Sequence, residues 1–475
     1  MNLEKIKLKE KIAYGFGDAA SSMFWKIFSM YLLFFYTDVF GLTAAAVGTM
    51  FLVTKVWDSL FDPFVGVYSD RVETKWGKFR PFLLWVAVPF AIIGVLTFYT
   101  PNFSHDGKLI YAYITYSLMM MVYSLINVPY ASLLGVMSSD GKERTTLASY
   151  RMVFAFGGSL IALWLIEPLV KYFGDGKLTS SQGWFFTIIA FGAITTLLFW
   201  GCFAGTRERV KPIREEQSTL KEDLKDLLAN KPWWILLGAG VATLLFNTIR
   251  DGGAIYYFKY FLNKTDHETF SIFGMGTGMS YLTIYLVLGQ AANIIGVILA
   301  TPLANKIGKK KTFFGAMLLA AILSVAFYFL TKNEVVLILI FQFFISICAG
   351  CIFPLLWSMY ADTADYSEWK QGRRATGLVF SASSMSQKLG WALGGAATGW
   401  LLAYFGFKAN IAQSESAQSG IRLMLSILPA VGAAVSMLFI SIYPLSEEKL
   451  KNIIQELNEI RLSEKENTTD SNGAV

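Results

Sequence analysis

The segment Phe51-Leu-Val-Thr-Lys-Val-Trp-Asp-Ser-Leu-Phe-Asp-Pro-Phe-Val-Gly-Val67 is apolar over most of its length, yet it carries Asp58 and Asp62. A spacing of four residues places both carboxylates on one helix face, roughly 6 Å apart. A charge inside hydrocarbon costs at least about 3 kcal/mol, so such residues face a cavity or a partner. Adjacent carboxylates repel each other and need a proton, a metal ion or a basic side chain between them. A fixed ion pair that only ties helices together is the structural alternative.

The composition is that of a membrane protein. Hydrophobic residues make up 54% of the 475 residues and charged residues only 16%, whereas a soluble chain is about 25% charged. The mean hydropathy is +0.47. The net charge of +7 does not indicate nucleic acid as a partner, because the basic residues lie in loops, where they set membrane topology.

Twelve apolar runs are each long enough for a membrane-spanning helix of about 20 residues. The runs are continuous rather than alternating, which predicts helices instead of barrel strands and an all-α membrane protein. The predicted spans are Tyr14–Tyr36, Ala45–Val67, Pro81–Tyr99, Leu109–Leu134, Ser149–Tyr172, Trp184–Phe203, Trp233–Phe261, Tyr281–Leu303, Phe313–Leu330, Val335–Tyr360, Thr376–Tyr404 and Ile421–Tyr443.

The distribution of basic residues among the loops predicts the orientation of the chain in the membrane. Basic residues crowd the N-terminal segment and the even-numbered loops, whereas the odd-numbered loops hold isolated lysines such as Lys108, Lys264 and Lys408. By the positive-inside rule both termini are cytoplasmic, which requires an even number of spans.

The longest cytoplasmic connection divides the chain into two halves of six spans. We predict an N-terminal half over residues 1–205, a middle loop over 206–232, a C-terminal half over 233–444 and a cytoplasmic tail over 445–475. The middle loop contains a short helical pattern, Leu220–Leu228. The sequences Asp62-Pro63 before the second loop and Thr301-Pro302 before the eighth form a weak internal repeat between the halves. Parallel halves around a midplane site are typical of secondary transporters.

Few further ionisable or amide residues lie at the predicted bilayer depth. They are Asp18, Lys26, Lys55, Asn127, Arg151, Asn247, Arg250, Asp251, Gln387 and Lys388.

Lys388 lies within the small-residue stretch Ser384–Gly395, which permits close helix approach. A lysine in mid-span needs a carboxylate, and the Asp58/Asp62 pair is the natural candidate; a static interhelical bridge is the alternative. Ser124 and Asn127, three residues apart, add a hydroxyl and an amide on one helix face. Oxygens of this kind, together with two carboxylates, suit a small hard cation, although such residues also bridge membrane helices.

The remaining polar residues allow several interpretations. Arg151 suits sugar hydroxyls or a carboxylate through its planar fork, and a gate bridge is equally compatible. Arg250 and Asp251 follow Asn247 in one span and are compatible with simple pairing to neighbours. Asp18 and Lys26 lie on one face but too far apart for direct pairing, so their partners stay open. The sequence has no nucleotide-binding motif, catalytic triad pattern or metal-ligand cluster, which disfavours an ATP-driven pump and an enzyme.

Several motifs spread over nearly the whole chain resemble the glycoside–pentoside–hexuronide:cation symporters, the melibiose permease-like family of the major facilitator superfamily. They are Tyr14-Gly-Phe-Gly, Phe35-Tyr-Thr-Asp-Val-Phe-Gly-Leu42, Trp57-Asp-Ser-Leu-Phe-Asp-Pro63, Trp76-Gly-Lys-Phe-Arg-Pro81, Asn127-Val-Pro-Tyr130, Ala254-Ile-Tyr-Tyr-Phe258 and Ala361-Asp-Thr-Ala-Asp-Tyr366.

The resemblance implies a major facilitator fold and import of a sugar with Na⁺, H⁺ or Li⁺ by alternating access. It implies cation binding by Asp58 and Asp62, which match the two acidic residues of span 2 in melibiose permease, and by Ser124. It further implies a coupled lysine at Lys388 and a sugar contact at Arg151.

The chain departs from melibiose permease at the sugar site. Ser21 and Ser22 replace a Lys–Asp pair, Asn127 replaces an aspartate shared by sugar and cation, and Phe353 replaces a tryptophan. The losses of carboxylate weaken the expectation of a galactosyl substrate, and a neutral oxygen at Asn127 weakens the case for Na⁺.

We therefore expect a transporter of a bacterial cytoplasmic membrane that imports a sugar or glycoside with Na⁺ or H⁺, acts as a monomer and needs no cofactor besides the coupling ion. Expected cation ligands are Asp58, Asp62, Ser124 and Asn127; expected coupling residues are Lys388, Lys55 and Ser384; expected sugar contacts are Arg151, Asn127, Ser22, Phe353, Gln387 and Asn247. A proton-coupled antiporter on the same fold and a non-transporting sugar sensor are the alternatives.

Overall fold

The computed structural model describes residues 6–138, 141–209, 228–264, 269–272, 275–371, 376–453, 455–457 and 459. The helices of the first half are α1 Leu8–Phe34, α2 Ala44–Arg71, α3 Arg80–Trp85, α4 Ala87–Thr97, α5 His105–Met137, α6 Gly141–Phe173 and α7 Ser181–Gly205. Those of the second half are α8 Lys231–Tyr256, α9 Tyr281–Ile307, α10 Lys309–Phe327, α11 Val335–Gln371, α12 Thr376–Tyr404, α13 Glu415–Leu425 and α14 Ile427–Ser441.

Each of the twelve expected spans corresponds to one helix or to two helices placed end to end. Within the described residues, eight helical segments are long and apolar enough to cross a membrane by length and composition. The other four expected spans are α1, α2, α12 and the third span, which is divided into α3 and α4.

The last span is also divided, at Ser426, where the expected continuous helix is interrupted. Pro429 lacks an N–H and so cannot bond the carbonyl oxygen of Leu425 four residues earlier. The guanidinium of Arg250 on α8 donates to that carbonyl oxygen instead. The same group donates to Gln342 Oε1 at 2.7 Å and to Tyr285 Oη at 3.2 Å. Arg250 therefore bonds to neighbouring helices, in agreement with the simple pairing that the sequence allowed.

A small β-hairpin between α8 and α9 departs from the all-α expectation. Strands β1 Thr269–Ile272 and β2 Met275–Ser280 pair antiparallel with a bulge after Thr269. The hairpin lies in the seventh loop, between spans, so it leaves the helical bundle unchanged. Most of the predicted helix Leu220–Leu228, and the tail beyond residue 459, lie outside the described residues.

The two halves end their first helices in the same way. A π-helical turn, Phe35–Val39, continues α1, and a second one, Tyr257–Phe261, continues α8. Both turns close with the same backbone bond, from Phe40 N–H to the Phe35 oxygen and from Leu262 N–H to the Tyr257 oxygen. The two helices pack against each other across the interface between the halves.

The loops after the second span of each half are also built alike. Gly77 precedes α3 with φ +109°, and Gly308 precedes α10 with φ +90°. Glu208, which follows the sixth span, accepts from the backbone N–H groups of Lys78, Phe79 and Arg80 at 2.8–2.9 Å. Glu447, which follows the twelfth span, accepts from Lys309 N–H at 2.7 Å. A carboxylate at a helix N-terminus satisfies free N–H groups and interacts favourably with the helix dipole.

We predict that Glu208→Ala lowers the melting temperature of the detergent-solubilised protein, because it leaves three N–H groups at the start of α3 without their acceptor. The loss of a side chain that caps a helix costs about 1–2 kcal/mol. Glu73→Ala is the matched control, because that side chain is 78% exposed and only pairs with Lys78 at the surface. Equal melting temperatures for the two variants would contradict the prediction.

Candidate functional site

Asp58 and Asp62 meet Ser124 inside the bundle. The Ser124 hydroxyl on α5 lies 2.9 Å from Asp58 Oδ1 and 2.6 Å from Asp62 Oδ1, so one hydroxyl contacts both carboxylates. The Asp58 side chain is 1% exposed and that of Asp62 is 27% exposed. The pair thus has one fully buried acid and one that is open to a cavity.

Lys388 approaches the two acids from the other half of the molecule. Its Nζ contacts an Asp62 carboxylate oxygen and lies 3.4 Å from Asp58 Oδ2. The ammonium therefore stands between two carboxylates. We refer to Asp58, Asp62, Ser124 and Lys388 as the acidic cluster.

Lys55 supplies a second positive charge from α2 itself. Its Nζ lies 3.5 Å from Asp58 Oδ2, 3.0 Å from Met120 Sδ and 4.3 Å from the centre of the Trp25 ring. Two lysines thus balance two aspartates in this state. Only Lys388 belongs to the second half, so only its contact changes when the halves move apart.

Glycines on α12 let Lys388 reach the first half. A Cβ at Gly390 would lie 2.7 Å from Leu244 Cδ1 on α8, and one at Gly399 would lie 2.4 Å from the Ala44 oxygen on α2. The contact of Gly399 is with backbone and tolerates no side chain, and a side chain at Gly390 would force Leu244 to move, so α12 packs closely between α8 and α2. The small-residue stretch around Lys388 therefore has a packing reason in the structure.

In the part of the chain that the structure describes, Asn127 and Ser384 make no hydrogen bond to the acidic cluster. The Asn127 amide donates to the Tyr123 carbonyl oxygen at 3.0 Å, within its own helix. Among the described residues the structure has no hydrogen bond from Asn127 to either aspartate. Ser384 is exposed. The expected ligand set is thus brought together at Asp58, Asp62 and Ser124 only.

Arg151 binds a carboxylate of the protein itself. Its Nε and Nη2 donate to the two Asp18 oxygens at 2.5 and 3.3 Å, and its guanidinium lies 4.8 Å from the centre of the Tyr130 ring. Arg151 is therefore the partner of Asp18, which the sequence did not identify. The Arg151 side chain is still 24% exposed, which leaves part of the guanidinium accessible from the cavity.

Two of the expected sugar contacts carry unused donors. Asn247 Nδ2 and Gln387 Nε2 are buried and have no hydrogen-bond partner among the described residues. A buried donor without an acceptor costs about 1–3 kcal/mol, so we expect a ligand to supply the missing acceptors. Ser22 and Phe353 are partly buried.

One end of the bundle is sealed by side chains from both halves. Asp38 accepts from Lys259 Nζ at 2.7 Å and from the Tyr260 hydroxyl. Asn410 donates from Nδ2 to the Asp38 carbonyl oxygen at 2.6 Å. At the same end the Ser280 and Thr283 hydroxyls of the second half contact Glu167 of the first. We call Asp38, Lys259, Tyr260 and Asn410 the latch.

Several ionic side chains at membrane depth are partly exposed: Lys388 is 22% exposed, Arg151 24% and Asp62 27%. Charged groups at that depth face a protein cavity rather than lipid. The partial exposure of these side chains therefore indicates an internal space beside the acidic cluster.

The comparisons with known proteins agree with this architecture. The model of the MFS/sugar transport protein family matches residues 13–447. The chain belongs to this family. It is 37% identical to the inner membrane symporter YicJ of Escherichia coli (strain K12), with 96% of each chain covered. It is 35% identical to the isoprimeverose transporter of Lactiplantibacillus pentosus, over 94% of this chain and 91% of that one.

Solved structures share the fold of this family member. The crystal structure of nucleoside transporter NupG matches with a TM-score of 0.60 at 13% identity, over 92% of this chain and 100% of that chain. At this identity the likeness concerns the fold alone. The expected major facilitator fold is confirmed, and the chain is a multi-pass membrane protein.

The sequence alone did not indicate a role for the latch of this transporter. Asp38 lies in Phe35-Tyr-Thr-Asp-Val39 and Lys259 directly follows Ala254-Ile-Tyr-Tyr-Phe258, two motifs that resemble the symporter family. An acid and a base at equivalent ends of spans 1 and 7 is a signal that could have indicated their contact.

We predict that Lys388→Met makes the stability of the cation-free protein depend on protons or Na⁺. Without the ammonium, the two carboxylates repel each other, and a bound proton or metal ion relieves the repulsion. In Na⁺-free buffer near pH 8, its melting temperature should fall below that of the wild type, and Na⁺ or acidification to about pH 5 should restore it. The control is Lys332→Met, which removes an exposed lysine outside the acidic cluster, whose Nζ donates to Gln418 at 3.4 Å and lies 4.8 Å from the centre of the Phe261 ring. A melting temperature of Lys388→Met that is insensitive to both ions would contradict the prediction.

Proposed function

We propose that the protein imports a sugar or glycoside by symport with a monovalent cation, Na⁺ or H⁺, and that the acidic cluster binds this cation. The observation that carries the proposal is the contact of Lys388, on the second half, with Asp58 and Asp62, on the first. This contact gives cation binding a direct effect on the interface between the halves. The names of the relatives support the substrate class, since they include a symporter and a transporter of the sugar isoprimeverose.

The cation and Lys388 compete for the same carboxylate oxygens. When a cation binds Asp58, Asp62 and Ser124, the attraction that holds Lys388 is reduced and the lysine is released into the cavity. The five oxygens of these three side chains are hard ligands, which suit Na⁺. A proton on one carboxylate would release Lys388 for the same electrostatic reason.

The sugar binds in the cavity beside the cluster. Arg151, Asn247 and Gln387 offer hydrogen-bond donors that the described part of the protein leaves wholly or partly unused. Sugar hydroxyls are both donors and acceptors, so they satisfy such groups. Trp25, Tyr123 and Trp391 form an aromatic surface next to Lys55, on which a sugar ring can stack.

Alternating access follows from the position of the latch. The positive-inside rule places both termini in the cytoplasm and the latch at the outer face of a bacterial cytoplasmic membrane. In that orientation, with the latch formed at the outer face, we infer that the state described here faces inward. Opening outward requires the latch to break and the opposite end to close.

A single chain contains the whole acidic cluster and the cavity, so the transporter acts as a monomer. It is a transporter and not an enzyme, and it needs no cofactor besides the coupling ion. Antiport and sensing without transport are not favoured, because the relatives are named as symporters and transporters.

We predict that Asp58→Asn and Asp62→Asn abolish accumulation of sugar above its outside concentration while exchange of sugar across the membrane continues. The amide keeps the shape of the carboxylate and removes the charge that binds the cation. Uptake of radiolabelled isoprimeverose into proteoliposomes with a Na⁺ or pH gradient, compared with counterflow without a gradient, separates the two activities.

Asp106→Asn is the control, since Asp106 is exposed at the start of α5. Undiminished accumulation in both cluster variants would refute the assigned role. A screen of glycosides by thermal shift, with and without Na⁺ at two pH values, identifies the substrate and the coupling ion.

A further inference from the structure

Lys26 on α1 and Asp251 on α8 face each other across the interface between the halves. The Lys26 Nζ lies 3.9 Å from Asp251 Oδ2, and the side chains are 15% and 41% exposed. This distance exceeds the 2.7–3.2 Å range of an N–H···O hydrogen bond. Within the described part of the chain, neither charged group makes a hydrogen bond. Both therefore keep hydrogen-bonding capacity that a ligand can use.

The pair lies in the interior of the bundle, beneath the latch. Lys26 precedes Asp38 by twelve residues on α1 and its π-helical extension, and Asp251 precedes Lys259 by eight on α8. At a rise of about 1.5 Å per residue, the pair is about 12–18 Å from the sealed end. We refer to this pair as the roof of the sugar cavity proposed above.

The roof borders the acidic cluster. Trp25, the residue before Lys26, packs against Trp391 on α12 with ring centres 5.2 Å apart. The Lys55 ammonium of the cluster lies over the same Trp25 ring. A sugar bound beside Trp25 can therefore contact both the Lys26–Asp251 pair and the residues that border the acidic cluster.

Asn247 completes a set of complementary groups. It lies one helical turn before Asp251 and on the same face of α8. Its Nδ2 is buried without a partner among the described residues. Lys26 and Asn247 supply donors and Asp251 supplies acceptors, which matches two neighbouring sugar hydroxyls that each donate and accept.

We propose that Lys26, Asp251 and Asn247 form a hydroxyl-binding subsite shared by the two halves. One ring hydroxyl accepts from the Lys26 ammonium and donates to the Asp251 carboxylate, and its neighbour accepts from Asn247. A hydroxyl oxygen about 2.8 Å from both Lys26 Nζ and Asp251 Oδ2 subtends an angle near 90°, which is compatible with both hydrogen bonds. This subsite rests on the proposed function, since it assigns the recognition of the sugar.

The subsite also links sugar binding to the latch. Because Lys26 and Asp251 belong to different halves, the hydroxyl bridges them only while α1 and α8 are close. The same two helices carry Asp38 and Lys259 at their ends. A bound sugar therefore favours the state in which the latch is closed, and a sugar without the bridging hydroxyl loses this preference.

The test is a double-mutant cycle between Asp251 and the hydroxyl. Isoprimeverose and its monodeoxy derivatives are the probes, with binding measured on the purified full chain by isothermal calorimetry. In the wild type, removing the bridging hydroxyl should weaken binding about tenfold, and in Asp251→Asn the same removal should have little effect. Lys26→Met should abolish the same hydroxyl's contribution, whereas Asp106→Asn should preserve the wild-type pattern.

A purely electrostatic tie between the halves predicts a different pattern. Asp251→Asn would then weaken every derivative by the same factor, and this result would overturn the subsite. Unchanged binding of all probes by Asp251→Asn and Lys26→Met would overturn it as well. Melting temperatures and their response to Na⁺ or pH show whether each variant is folded. Absence of isoprimeverose binding in the folded wild type would instead refute isoprimeverose as the substrate, and with it the subsite as drawn for this sugar.

Discussion

A lysine of one half held between two carboxylates of the other is the constraint on which the rest of the structure depends. In a low-dielectric interior neither Lys388 nor the two acids is stable alone, because the desolvation of each charge must be offset by a partner. The contact positions α12 against α2 and leaves Asp62 open to the cavity. In the proposed symport, a cation that takes the place of the ammonium weakens this contact between the halves. The exchange of one positive charge for another is the simplest coupling that this geometry allows.

Local patterns in the sequence were sufficient to predict much of the fold. Length and hydropathy predicted the spans, and helical periodicity placed Asp58 and Asp62 on one face, because both properties depend only on neighbouring residues. The cost of a charge in hydrocarbon predicted that Lys388 needs an acid. The division of the third span at Val86 and the β-hairpin in the seventh loop were not predicted. Neither has a local signal as strong as the apolar runs around it.

The pairing of the remaining charges could not be predicted, because it depends on which helices are neighbours. Asp18 had several basic residues available at membrane depth, and the packing of α1 against α6 selects Arg151. The partner of Lys26 was equally undetermined from the sequence, and the approach of α1 to α8 selects Asp251. Asn127 illustrates the opposite case. Its amide donates to a carbonyl oxygen of its own helix. A residue type that suits a cation site therefore makes an intrahelical hydrogen bond here.

The guanidinium of Arg250 has a mechanical consequence. By bonding the carbonyl oxygen that Pro429 leaves free, together with Gln342 and Tyr285, it joins α8, α9, α11 and α13 at a single buried point. Four helices fastened at one place resist sliding past one another, so this part of the second half behaves as one stiff block. The deformation of a transport cycle is then concentrated at the seam between the halves. A proline that interrupts one helix thus contributes, through an arginine on another, to the rigidity of the second half.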